Sequence, residues 1–215
     1  MAPDPAGNPP DLHELLQRAA AGDPAGWKTL LAPHRDRLRR IVAFRLDPRL
    51  RGRVDPSDVL QEVYLEAFRH LGDYLRQPEM PFFVWLRAVA GNKLLELHRH
   101  HLGTRMRDAG REVSIDRGGP AITSAALAAQ LLGHATAPSE AAIRAEAKAR
   151  LQEALDGMDP VDREVLALRH FEHLTPAETA RVLGIKEKAA GMRYLRALKR
   201  LKEILTALPG GPVEL

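Results

Sequence analysis

The chain has 215 residues, 45% of them hydrophobic and 28% charged, with a formal net charge of +4. That length accommodates one domain or two small ones, and a modest positive surplus suits a polyanionic partner only if it is concentrated somewhere. The absence of cysteine excludes disulfides and thiolate metal sites, and no stretch reaches the apolar length of a membrane span, so a cytoplasmic protein without membrane insertion is expected.

Residues 1–10 are proline-rich and read as a disordered tail. Beyond them the punctuation is helical. Asp23-Pro24, Asp55-Pro56, Asp159-Pro160 and Thr175-Pro176 each put a capping residue ahead of a proline suited to the first helical position. Helices are expected at about 11–21, 24–46, 56–76 and 81–101, forming an N-terminal unit over residues 11–102. Arg35, Arg37, Arg39, Arg40, Arg45, Arg49, Arg51 and Arg53 crowd the second helix and the loop after it, opposed by Asp36 and Asp47, a first basic surface.

The helix opened by Asp55-Pro56 has two unlike faces. Val59, Leu60, Val63, Ala67, Phe68 and Leu71 make a core stripe, whereas Asp58, Gln61, Glu62 and Leu65 share a second face at helical spacing. That second face reads as a protein-docking surface or, by residue physics alone, more simply as a solvated face with one stray leucine. In the next helix Phe82, Leu86, Val89, Ala90, Leu94 and Leu97 follow core spacing, while Asn92, Lys93, His98, Arg99, His100 and His101 give a basic end fit for nucleic acid. Phe83 and Trp85 read either as core aromatics or as base contacts. The histidines lack acidic or cysteine partners at a ligand spacing, so no metal site is expected.

Glycine, proline, alanine and serine dominate residues 103–138, read as a flexible linker with one transient helix over Ala125–Leu132. A C-terminal unit over 139–207 follows, with helices at 139–157, 160–171, 175–183 and 187–206, then a tail over 208–215. Thr175, Pro176 and Glu178 combine a capping box with a preset φ. Ala177, Ala180 and Leu183 face a core, Gly184 supplies a left-handed turn, and Ile185 plugs the corner. The last helix presents Lys188, Arg193, Arg196, Lys199, Arg200 and Lys202 outside an apolar stripe of Leu195, Leu198, Leu201 and Leu205. A helix, a glycine turn and a basic helix form the layout of a helix-turn-helix DNA reader. With no run of β-type alternation, the predicted class is all-α, two small helical domains joined by a flexible linker. No nucleophile-base grouping, phosphate loop or metal set is present, so neither an enzyme nor a cofactor is expected.

Asp58-Val-Leu-Gln-Glu-Val-Tyr-Leu-Glu-Ala-Phe68, then Phe83-Val-Trp-Leu-Arg-Ala-Val-Ala-Gly-Asn92, then Leu155 through Leu205, in that order, resemble the extracytoplasmic-function (ECF) sigma factors of bacterial RNA polymerase. The resemblance implies a transcription initiation factor built from a sigma domain two-like and a sigma domain four-like unit. It implies that Asp58, Gln61, Glu62 and Leu65 dock on the clamp coiled coil of core RNA polymerase, overturning the solvated-face reading. It further implies that Trp85, Asn92, Lys93 and Arg99 engage the melted minus-10 element, and that Lys188, Met192, Arg193, Arg196 and Arg200 read the minus-35 element of promoter DNA. An anti-sigma factor or other regulator is a further implied partner. Where many members of the family carry a Thr-Val-Lys-Ser-like stretch, this chain has Ala189-Ala190-Gly191-Met192, so its base preference is its own. The alternative is a helix-turn-helix regulator that acts without polymerase, which would need a palindromic site and a dimer surface.

Overall fold

A computed structural model of the chain describes residues 11–50, 52–78, 80–102, 119–132 and 141–207. Both expected tails, residues 103–118 and 133–138 of the expected linker, and residues 139–140 lie outside the described residues. The elements are α1 (Leu12–Ala20), α2 (Pro24–Leu31), α3 (Arg35–Arg45), α4 (Pro56–Arg76), α5 (Phe82–Leu102), α6 (Ser124–Leu131), α7 (Ala141–Asp156), α8 (Pro160–Leu166), α9 (Pro176–Leu183) and α10 (Glu187–Ala207). No β-strand forms among the described residues, and none of the described helices is long and apolar enough to cross a membrane.

The caps act as their sequence dictates. Asp23, Asp55 and Asp159 accept the backbone N–H two residues on, at 2.9, 2.7 and 2.7 Å, each with proline at the start of its helix. The expected helix over 24–46 is interrupted: Pro33 lies in a 3-10 turn, Ala32–His34, between α2 and α3. Proline has no N–H to continue the ladder, and its ring crowds the preceding turn. A second departure falls in 160–171, where α8 widens into a π turn, Ala167–Phe171, closed by the Glu172 N–H on the Ala167 carbonyl at 2.9 Å. Two α-turns take about 7.2 residues. The wider turn absorbs roughly one more, which returns Glu164 and Glu172 to one face.

The N-terminal unit, α1 to α5, buries Leu38, Val63, Leu71, Leu86 and Leu94 in one core. The C-terminal unit packs α7, α8 and α10 around Leu151, Leu155, Leu166 and Leu201, with α9 and Leu168, Leu174 and Leu183 beside them. Part of the expected flexible linker is folded. Residues 124–131 form α6, capped by Thr123, and Leu127, Ala128 and Leu131 are buried in the C-terminal core together with Ile122. An alanine-rich segment with two buried leucines becomes a helix once α7 covers its face, because tertiary burial offsets weak isolated helicity.

The units also touch one another. Phe44 of α3 joins the C-terminal core, its ring 5.2 Å from that of Phe171, and Val84 of α5 packs with Val165, Leu168 and Leu174. In this structure the two units form one closed body.

Candidate functional site

The centre of the closed body is ionic. Arg45, 6% exposed, donates through Nη2 to Glu164 at 2.5 Å, through Nε to Glu172, and through Nη1 to the Pro120 carbonyl at 2.6 Å. Arg87 donates through Nε to Glu172 at 2.6 Å and lies 3.8 Å from Glu164. Glu164 also accepts the Ile122 N–H at 3.1 Å, so the folded end of the linker is bound into the same cluster. Burial works to raise the Glu172 carboxyl, but the Arg45 and Arg87 guanidiniums outweigh it and hold the group below the usual carboxylate range. For Arg45 burial works downward, and Glu164 and Glu172 outweigh it, raising the guanidinium above its ordinary value.

Arg37 continues the seam. It donates to the Glu172 and His173 carbonyls at 3.2 and 2.9 Å and to Glu178 at 3.2 Å, with its guanidinium 3.7 Å from the Phe83 ring centre. His173 presents its carbonyl from a left-handed turn, φ 54°. The α5 helix lies close enough to the linker that a Cβ on Gly119 would meet the Gly91 Cα at 2.9 Å. Of the arginines read as one basic surface, Arg45 is therefore buried and Arg37 engaged, while Arg35, Arg39, Arg40, Arg49 and Arg53 are exposed and Arg51 lies outside the described residues. The arginine spacing carried no signal of this, because the carboxylates that claim them lie more than a hundred residues away.

The face expected to dock on a partner is open. Asp58, Gln61, Glu62 and Leu65 are exposed on α4, Leu65 at 60%. Phe68, expected in the core stripe, is 44% exposed and sits edge-on to Trp27 at 5.6 Å between ring centres. Trp27, Gln61, Tyr64, Leu65 and Phe68 line a shallow groove beside the acidic residues. Phe68 lies at the margin of the stripe, where the neighbouring helix decides burial.

The residues expected at a melted element do not all present themselves alike. Asn92 and Arg99 are exposed, whereas Lys93 is tied to Glu62 at 2.8 Å and Glu96 at 3.1 Å, which joins two of the expected sites. Trp85 is half-buried and stacks on Tyr74 at 4.8 Å, the placement of a structural aromatic. His98, grouped with the basic end, is buried. Its Nε2 accepts the Asp47 N–H at 3.1 Å, and burial lowers its pKa, keeping the ring neutral.

The C-terminal hairpin has the expected local geometry. Glu178 N–H meets Thr175 Oγ1 at 3.1 Å and Thr175 N–H meets Glu178 Oε2 at 2.7 Å, and Gly184 turns at φ 62°. Ala180 and Leu183 are buried, but Ala177 is exposed. On α10 the buried residues are Ala190, Ala197, Leu201, Ile204 and Leu205. Leu195, expected in the stripe, is instead 61% exposed beside Met192 at 57%. Lys188, Arg196 and Arg200 are exposed, Arg200 within 3.3 Å of Glu203. Arg193 is half-buried and held by Asp162 of α8 at 3.2 Å, so it seats α10 on α8.

Residues 148–201 match the family model "Sigma-70, region 4". The chain is 31% identical over 196 residues to the ECF RNA polymerase sigma factor SigD of Mycobacterium tuberculosis, covering 91% of this chain and 84% of SigD. It is 28% identical over 194 residues to the ECF RNA polymerase sigma factor BldN of Streptomyces coelicolor, spanning 90% of this chain and 66% of BldN. Among solved structures, CnrH in complex with the cytosolic domain of CnrY aligns with a TM-score of 0.53 at 25% identity, over 92% of this chain and 99% of CnrH. CnrH is an RNA polymerase sigma factor of Cupriavidus metallidurans.

Proposed function

The chain belongs to the ECF family of RNA polymerase sigma factors, and from that membership we propose how its surfaces divide the work of promoter-specific initiation. The α4 face of Asp58, Gln61, Glu62 and Leu65, with the adjoining Trp27 and Phe68 groove, docks on core RNA polymerase. Asn92 and Arg99, with Lys93 once it leaves Glu62, meet the separated strand of the minus-10 element. The exposed face of α10, with Lys188, Met192 and Arg196, enters the major groove at the minus-35 element. Arg193 positions that helix through Asp162, and Arg200 lies toward a phosphate backbone. The observation that carries this division is that the docking face and the reading face are both open to solvent on one chain.

The closed body cannot serve both promoter elements at once. Elements centred about 25 base pairs apart lie roughly 85 Å apart along B-form DNA. A compact chain of this length has a radius of gyration of about 17 Å and measures roughly 45 Å across. Initiation therefore requires the two units to part at Arg45, Arg87, Glu164 and Glu172. The ionic part of the seam suits that step, since its charges regain hydration as it opens, while the Phe44 and Val84 contacts give up their apolar burial.

The test is copurification with core polymerase, followed by transcription from a library of random upstream sequences. Promoter-specific transcripts that depend on the added chain are expected, and equal output without it would reject the assignment. Within that assay Arg196→Ala is expected to weaken binding of the recovered upstream element by roughly 5- to 150-fold, the range of a lost base-edge contact. Lys188→Ala is expected to act more evenly across sequences and to lower the salt slope by about one. Indifference to both would mean that α10 has been assigned the wrong face.

A further inference from the structure

Five large apolar side chains are exposed among the described residues, and they are not scattered: Leu65 and Phe68 share the α4 face, Met192 and Leu195 share one face of α10, and Leu12 stands apart. The α4 pair adjoins the docking face. The α10 pair has no such neighbour. At about 100° per residue, Leu195 lies at the middle of the solvent face of α10, with Lys188, Lys199 and Lys202 within about 40° of it and Met192 about 60° away. A cationic face suited to a polyanion thus has hydrocarbon, not a hydrogen-bonding group, at its centre.

Gly191 occupies the same face one turn before Leu195. A glycine inside a helix weakens it relative to alanine, yet a Cβ built on Gly191 meets nothing within 4 Å. No close contact among the described residues requires its absence. A close approach of the backbone to a ligand is a recurrent use of glycine.

A major groove offers an apolar side chain one partner, the C5-methyl group of thymine. We propose that Leu195, flanked by Met192, reads a thymine methyl in the upstream promoter element, and that Gly191 lets the α10 backbone come close enough for that contact. The inference rests on the proposed placement of α10 at that element. The lysines around Leu195 supply phosphate contacts that position the helix, and the hydrocarbon supplies the discrimination.

The experiment uses holoenzyme and the upstream element recovered by selection from random sequence. Each thymine of that element is replaced in turn by deoxyuridine, which removes the methyl and leaves base pairing intact. At one or two positions the replacement is expected to weaken wild-type binding about fourfold, the equivalent of one buried methyl. Leu195→Ala should bind the thymine and deoxyuridine forms of that position alike, whereas Lys188→Ala should weaken both and preserve their ratio. Equal binding of both forms by wild-type holoenzyme at every position, or a ratio that survives both Leu195→Ala and Met192→Ala, overturns the proposal. The Arg196→Ala comparison separates the two failures: if it too leaves affinity for the upstream element unchanged, the placement of α10 is wrong, whereas a fall with Arg196→Ala beside no thymine dependence rejects the Leu195 contact alone. For Gly191→Ala the free chain is expected to melt at a higher temperature while holoenzyme affinity for the element falls. Unchanged or improved affinity would reject the close approach.

Discussion

Glu172→Ala is expected to open the free protein. The substitution removes one of the two carboxylates that meet the buried Arg45 and Arg87 in the cluster. Breaking a buried ion pair by removing one partner costs about 3–5 kcal/mol, because the remaining charge stays desolvated. The N-terminal unit has a buried cluster of its own and the main C-terminal cluster borrows only Phe44 from it, so the strain is expected to be relieved by separation before either unit unfolds. Small-angle scattering should show the radius of gyration growing beyond the roughly 17 Å of a compact chain, with helical circular dichroism retained. A compact radius with both units folded would show that the ionic seam does not hold them together.

The complementary variant replaces all four charges by apolar residues of similar volume, Arg45→Met, Arg87→Met, Glu164→Leu and Glu172→Leu. Such replacements are often neutral or stabilising by about 1–4 kcal/mol. The closed body should then persist while promoter-dependent transcription falls, since opening would expose apolar surface instead of hydrating charge. Undiminished transcription from a demonstrably closed variant would show that separation is not required.

Charge reversal at Asp58 and Glu62 is expected to abolish capture of core polymerase without unfolding the chain. Both side chains are exposed on α4, where Glu62 pairs with Lys93 at 2.8 Å. Exposed ion pairs contribute only about 0–1 kcal/mol, so the fold should tolerate the change. A docking face that presents like charge to its partner, by contrast, loses several kcal/mol, a fall of several hundredfold or more in affinity. Affinity for core enzyme and the helical spectrum should be measured together. Binding that survives the double reversal would transfer the docking role away from this face. A parallel Phe68→Ala variant would report whether the Trp27 groove shares the contact.

Part of the fold and of the candidate site was legible in the residues. Four cap-proline pairs located helix starts, and Thr175, Glu178 and Gly184 specified the hairpin down to its hydrogen bonds and its left-handed turn. These features are local: the groups that satisfy one another lie within a few positions, so their spacing carries the information. The acidic face of α4 and the basic face of α10 were visible for the same reason, since helical periodicity alone puts their members together.

The margins of those faces were not legible. Phe68 lies at the edge of an apolar stripe about 100° wide and stays largely in water, while Leu195, expected in the stripe of α10, sits on that helix's solvent face. His98 and Trp85 look like nucleic-acid contacts by type, but a neighbouring N–H and a neighbouring ring claim them. Arg45 looks like part of a basic surface until Glu164 and Glu172 arrive from the other unit, aligned by a π turn that helical periodicity does not announce, and meet Arg87 as well. Sequence by itself determined where helices begin, which class they build and which residues share a face, because those depend on short-range geometry. Only the tertiary structure decided which charges are buried, which apolar side chains stay in water and that the two units close on each other, because each depends on what long-range packing brings opposite.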